Sequence, residues 1–317
     1  MGNGDADAGE VRAMTGQQTV HAAAPLALSP GLAARPARGP WQLALARLAH
    51  ARLAIAGMVI FLALVGAAVF AGVIAPYGQN EIDLFHITAG PSRAHLLGTD
   101  ELGRDELSRL IYGGRLSLLI GVSAALISTV VGAAVGVLAG YYGGWIDSLL
   151  MRFVDLMLAF PSIFLLLIIF AILEGVSVTG VILFLGLFGW MWLARIIRGE
   201  FLSLKRRDFV EAARSVGAPD RRIIARHLLP NVIAPVIVST TLNVAYYMLA
   251  EASLSFLGFG VPSGTPTWGN MLNAARTNYL THPILAIAPG LALTIAVLAI
   301  NFVGDGLRDA FDPRGRR

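Results

Sequence analysis

Two carboxylates, Asp155 and Glu251, stand inside stretches that otherwise hold no charge, and chemistry is sought there first. A carboxylate within lipid can relay protons, hold a cation or line a substrate path, provided that it faces a cavity near the bilayer midplane. Neither position meets that demand. Asp155 lies in the first turn of its apolar stretch, three residues after Arg152, a spacing at which the two are expected to pair at the cytoplasmic interface. Glu251 follows Val232 by nineteen positions, about 28 Å along a helix. That puts it near the far end of its stretch, where it either lines an external gate or is wetted at the membrane edge.

Enzymatic constellations are otherwise missing from the sequence. There is no G-x-x-x-x-G-K-[ST] phosphate loop, no H-E-x-x-H and no G-x-S-x-G elbow, and the six histidines are scattered singly. With no cysteine, the chain has no disulfide, iron-sulfur cluster or thiolate zinc site. No catalytic residue, metal or cofactor of its own is therefore expected.

The elements that carry these residues follow from composition. Of 317 residues, 56% are hydrophobic and only 14% charged, against about 25% charged in an ordinary globular protein. Six apolar stretches are long enough to cross a bilayer: Leu53 to Ala75, Leu116 to Gly140, Phe153 to Leu173, Val176 to Ala194, Val232 to Leu257 and Pro283 to Gly304. The fold class is thus an all-α polytopic membrane protein with six transmembrane helices. The net charge of +4 does not call for nucleic acid, because basic loops on the inner side of a membrane account for it. With the amino terminus inside, the inner segments hold 19 basic residues and the outer ones 5. Both termini are accordingly expected in the cytoplasm.

Residues 1–50, broken by Pro25, Pro30, Pro36 and Pro40, read as a disordered tail without a cleavable signal. The first anchor is 51–75. The loop 76–115 is external, with Thr99-Asp100-Glu101 capping an amphipathic interfacial helix that carries Leu102, Leu107, Leu110 and Ile111. A core domain covers 116–306, and 307–317 is a second cytoplasmic tail. In the last external loop, Phe259 to His282, Trp268 reads as an interfacial anchor.

Two patterns inside the core bear on assembly. Ser128, Gly132, Gly136 and Gly140 recur every four residues, a stripe that lets another helix approach closely in lipid. It serves either packing within the chain or contact with a second chain. The internal loop 195–231 is the most charged segment. Leu202 to Arg214 is helix-compatible, Gly217 suits a left-handed helix stop, and Pro219 suits the start of a short helix ending at Leu229 before Pro230. The order Glu211-Ala212-Ala213, three residues, Gly217-Ala218-Pro219-Asp220, then His227-Leu228-Leu229-Pro230 is more distinctive than its charge.

That order resembles the E-A-A, three residues, G, nine residues, I-x-L-P signature of the inner-membrane permease subunits of ATP-binding-cassette importers. His227 occupies the position of the Ile. His95-Leu96-Leu97-Gly98-Thr99-Asp100 with Gly103-Arg104-Asp105, and Glu251 to Gly258 followed by Trp268-Gly269-Asn270, resemble the C-type permease of the branch that serves dipeptides, oligopeptides and nickel. The resemblance covers Leu53 to Pro313. It implies a type I importer fold in the bacterial cytoplasmic membrane, paired as a heterodimer with a second homologous permease. It also implies two cytoplasmic ATP-binding subunits, which hold ATP and Mg and dock on the E-A-A loop, and an extracytoplasmic substrate-binding protein. An ion-coupled carrier and a non-transporting membrane scaffold are the alternatives from other classes.

Overall fold

The computed structural model describes residues 40–173, 175–262 and 264–312, and among them there is no β-strand, only an isolated bridge between Thr99 and Asp105. Residues 1–39 of the expected tail and 313–317 lie outside the described residues. Pro40 does not break a helix. It opens one, α1 (Pro40–Leu48), because the first helical position needs no N–H. Then come α2 (Arg52–Val69), α3 (Ala71–Ile74) and a long irregular loop to Asp105.

The Asp105 carboxylate accepts the Ser108 N–H and so caps α4 (Glu106–Tyr142). At 37 residues, α4 is about 55 Å long, well beyond the roughly 30 Å of hydrocarbon. It therefore absorbs Leu107, Leu110 and Ile111 as its first turns. The separate amphipathic helix expected in 76–115 is not formed, because the effective cap is Asp105 rather than Thr99 or Asp100.

The next two pieces are α5 (Gly144–Leu158) and α6 (Ser162–Leu173), which meet at 76°. One straight span was expected over Phe153 to Leu173. Pro161 prevents it, since proline lacks the N–H and its ring clashes with the carbonyl one turn back. After α7 (Val178–Leu187), α8 (Met191–Leu204) continues ten residues past the expected end at Ala194. Its two arginines are tolerated because each has a carboxylate partner: Arg195 with Asp155, and Arg198 with Asp147 at 2.5 Å.

Beyond α8 are α9 (Asp208–Ser215), α10 (Asp220–Arg222), a π-helical stretch (Ile223–Leu228), α11 (Leu229–Phe256), α12 (Trp268–Ala274) and α13 (Ile284–Phe311). Leu202 to Arg214 is thus two helices, broken after Leu204. Pro230 does not terminate the second arm. The Leu229 N–H reaches back five residues to the Ile224 carbonyl, so a widened turn carries the helix past the proline into α11. The expected tail 307–317 is likewise helical through Phe311, and the Arg47 Nη1 donates to the Asp312 carbonyl at 2.8 Å, joining α1 to the end of α13.

Counting α7 and α8 together (Val178–Leu204), five helices are long and apolar enough to cross a membrane, or six when the bent α5–α6 pair counts as one span. The small-residue stripe settles its own role. Gly132, Gly136 and Gly140 face α8 so closely that a Cβ on Gly136 would sit 2.6 Å from the Ala194 carbonyl oxygen and 2.8 Å from the Ile197 Cβ. A Cβ on Gly140 would sit 2.6 Å from the Phe201 Cβ. The stripe packs α4 on α8 within the chain and is not left for a second chain.

Candidate functional site

Three polar places stand out against this apolar bundle. The first is the turn after α8. Arg207 precedes α9 as its N-cap, and the first turn carries Asp208 and Glu211, the charge favoured at a helix amino end. Val210 and Ala213, three residues apart, point inward onto Tyr141, Leu193, Ile197, Phe201, Ile223, Leu228 and Val232. The opposite face leaves Glu211, Ala212, Arg214 and Ser215 exposed.

Val216 ends α9, and Gly217 follows at φ +77°. The Gly217 N–H donates to the Arg214 carbonyl at 2.9 Å and the Ala218 N–H to the Ala213 carbonyl at 3.1 Å. This pair of bonds is a Schellman stop, which needs a residue at ease with positive φ. The glycine expectation is met for that reason. Pro219 caps α10 from outside rather than opening it, and Asp220 is its first residue. Leu229 and Pro230 both lie at the exposed start of α11, and it is Leu228 that is buried.

Sequence reasoning missed the anchors of this turn. Tyr141, at the end of α4, donates its hydroxyl to the Asp220 carboxylate at 2.5 Å, and Arg214 lies over its ring at 5.8 Å. Lys205, the single lysine of the chain, donates its ammonium to the Gly140 carbonyl at 3.0 Å. It therefore satisfies the negative carboxyl end of α4. Sequence reasoning also missed Val216, 83% exposed at the apex; its position beside the glycine stop was the available signal.

The second place is a cavity of about 740 Å³ at the α5–α6 bend. Asp155, Phe160, Ser162, Trp192, Arg195 and Tyr246 line it. Asp155 does not pair with Arg152 as expected. It bonds across the cavity wall to Arg195, which α8 brings to it. Arg195 also lies 5.7 Å from the Trp192 ring. Glu251 is elsewhere and fully buried, so the wetted-edge reading is excluded. Ser255 donates to its Oε1 at 2.7 Å, while Oε2 has no protein partner among the described residues. The neighbouring Ala252 is covered by Gly269, where a Cβ would come within 2.6 Å of the Ala252 Cα. Trp268 is buried here too, its N–H bonded to Ser117 and its indole N–H to the Leu110 carbonyl. It closes the seam between helices and is not an interfacial anchor.

The third place is the loop 76–105, where His95, Asp100 and Asp105 are buried together with Arg109 of α4. Asp100 accepts the Leu102 and Arg104 N–H groups and the Arg104 side chain. Asp105 accepts His95 Nδ1 at 3.0 Å through its second oxygen. His86 Nδ1 lies 2.7 Å from Asp83. That contact, with the Phe85 N–H, holds the Asp83 carboxyl below the ordinary carboxylate range. Two of the histidines read as isolated thus meet around one carboxylate, a contact made by loop closure.

A hydrophilic turn anchored by packing, a bundle of spans and a cavity at a helix break are the parts of a transport subunit. Residues 132–317 match the family of binding-protein-dependent transport system inner membrane components, and residues 39–91 match the N-terminal TM domain of oligopeptide transport permease C. The chain belongs to the binding-protein-dependent permease family. The permease is 40% identical to the glutathione transport system permease protein GsiD of Pectobacterium atrosepticum, over 91% of this chain and 96% of that one. It is 43% identical to a putative peptide permease protein of Brucella suis biovar 1, over 87% and 92% of the two chains. A solved inward-facing MetNI methionine ABC transporter shares the fold at TM-score 0.53 and 18% identity, covering 64% of the permease and 96% of that chain.

Proposed function

We propose that the permease forms half of a transmembrane path for dipeptides, oligopeptides or a related small solute such as glutathione, and that ATP hydrolysis on partner chains drives it. The observation that carries this reading is the continuity of α8. One rigid helix bears Trp192 and Arg195 on the cavity and Phe201 under the exposed turn at Glu211. A partner that presses on Glu211, Ala212, Ala213 and the Gly217-Ala218-Pro219-Asp220 stop tilts α8 against the glycine face of α4, and the cavity wall moves with it. The opposite charges of Asp155 and Arg195 suit the ammonium and carboxylate ends of a peptide. Glu251, beneath the α12 seam, is positioned to act at an external gate.

In this reading the turn at Lys205 is cytoplasmic and the loop at Thr265 external, with both termini inside. Two ATP-binding subunits supply ATP and Mg, a second permease completes the path, and a binding protein delivers cargo from outside. The chain has no ATPase site of its own. The relatives named above and the basic-residue asymmetry support these assignments. The test begins with Arg206→Cys and Thr265→Cys in this cysteine-free chain, labelled in intact cells by an impermeant thiol reagent. Labelling at 265 and not at 206 is expected, and the reverse overturns the orientation. Uptake by the reconstituted complex across dipeptides, longer peptides and glutathione then tests the cargo class.

A further inference from the structure

The loop 76–105 brings together side chains that neither transport nor capping of α4 uses. His86 Nδ1 lies 2.7 Å and His95 Nε2 3.6 Å from the same Asp83 carboxylate oxygen, and all three ligand atoms fall within 4.8 Å of one another. Ligand atoms around a tetrahedral zinc, each about 2.0–2.1 Å from the ion, stand about 3.3 Å apart, so these separations bracket the required spacing. His95 is oriented for the task. Its Nδ1 bonds the buried Asp105 carboxylate at 3.0 Å, which fixes the proton on that nitrogen and turns the Nε2 lone pair toward Asp83. A carboxylate that orients a ligating imidazole in this way is the usual outer shell of a metal site.

The backbone holds this arrangement in place. Asp83 N–H donates to the Gly103 carbonyl at 2.9 Å, and a Cβ on Gly103 would overlap the Asp83 carbonyl oxygen, so only glycine admits the contact. Thr88, the one described non-glycine residue at positive φ (51°), turns the chain just after His86, and its N–H is held by the Asp100 carbonyl at 3.0 Å. The His86 side chain is 53% exposed and Asp83 36%. A cavity of about 350 Å³ opens beside Asp83 and His95. An ion therefore has an entry path and room for water as a fourth ligand.

We propose that Asp83, His86 and His95 bind one divalent first-row transition-metal ion, of the class of Zn²⁺, which braces the loop 76–105. Two imidazoles and one carboxylate suit such ions, whereas a hard Ca²⁺ or Mg²⁺ prefers an all-oxygen shell. Because the chain holds no cysteine, no thiolate competes for the metal.

The test uses the full chain in detergent, purified through a tag without histidine and dialysed against Zn²⁺ alone. One tightly held Zn²⁺ per chain is expected, together with a Zn²⁺-dependent rise in unfolding temperature. Co²⁺ in its place should show the visible absorption of a low-symmetry nitrogen and oxygen site. His86→Ala, at an exposed position, should lower the metal-free unfolding temperature only slightly, through loss of its exposed contact with Asp83, and weaken Zn²⁺ binding by more than about tenfold, since even loss of an outer-shell partner commonly weakens it that much. His282→Ala, in another loop, should change nothing. Failure of the wild-type chain to bind Zn²⁺, or equal binding by wild type and His86→Ala, would overturn the site.

Discussion

The two ends of the bundle are built in opposite ways. At the end carrying Asp83, Asp105 and Trp268, buried charges and hydrogen bonds lock long loops onto the starts of α4 and α12. At the end carrying Glu211 and Gly217, an apolar floor under Val210 and Ala213 supports an exposed turn, whose polar anchors at Asp220 and Lys205 lie at its margins. A buried polar network loses much when one member is removed, because the others are left unsatisfied. An exposed turn on an apolar floor loses little. The first end should therefore report mutations as instability, and the second, if it is the docking surface proposed above, as lost coupling in a chain that still folds.

Between the two ends runs the α4–α8 seam, where the largest effect is expected. Gly136→Leu drives a side chain into the backbone of α8 at Ala194, which cannot rotate away. Overpacking of this kind should cost about 3 kcal/mol or more and abolish a monodisperse peak in detergent. Leu at Val137, beside the stripe and only partly buried, should leave that peak intact. Equal behaviour of the two variants would remove the seam from the account.

The next effect belongs to the Asp105 end. Asp105→Ala deletes the cap of α4, worth about 1 kcal/mol, and orphans the buried His95 ring nitrogen, at about 1–3 kcal/mol more. A fall of several degrees in unfolding temperature is expected, with Asp105→Asn in between because it retains an acceptor. If Asp105→Ala unfolds at the wild-type temperature, the network at this end is not what holds the loop.

What the sequence disclosed divides along the same line. The spans were legible because avoidance of charge is a local property, and Gly217 was legible because a helix stop needs positive φ whatever surrounds it. The ion pairs were not. Arg195 and Arg198 made α8 look as though it ended at Ala194, when Asp155 and Asp147 from another helix allow both to sit deeper. The Pro161 break was written in the sequence but masked by the apolar run on either side. The meeting of Asp83, His86 and His95 depends on closure of a loop with no periodicity, so spacing alone gave no sign of it. Lys205 was visible as the single lysine, but its role as a cap on α4 rests on a contact 65 positions away.

Gly217→Leu makes the same substitution as Gly136→Leu at the other kind of place. No atom stands within 4 Å of an added Cβ there, so the strain comes from φ alone. That strain is about 1–2 kcal/mol. The chain should insert and purify, with unfolding lowered by a few degrees, while the Schellman turn and the surface it presents are displaced. Tyr141→Phe should cost slightly less, about 1 kcal/mol, by releasing the Asp220 carboxylate from its hydroxyl. Both are read by thermal unfolding followed by ATPase co-elution.

Glu211→Ala should have the smallest effect on the fold. Glu211 is exposed in the first turn of α9, whereas Val210 and Ala213 are the residues of that helix that enter the apolar floor. Its loss removes a favourable charge at a helix amino end, a few tenths of a kcal/mol, and alanine is the better helix former. Unfolding temperature and detergent behaviour should match wild type. If the turn is the docking element, the same change removes a charge from an interface whose partner is then left unpaired, which costs far more there than in solvent. Substrate-stimulated ATP hydrolysis in the assembled complex should then collapse although the permease is intact. Glu211→Gln, which keeps shape and hydrogen bonding without charge, separates the two contributions: partial recovery marks a hydrogen bond, and none marks an ion pair. Wild-type hydrolysis in both variants would detach Glu211 from coupling and shift the docking role to the neighbouring Arg214 and Val216.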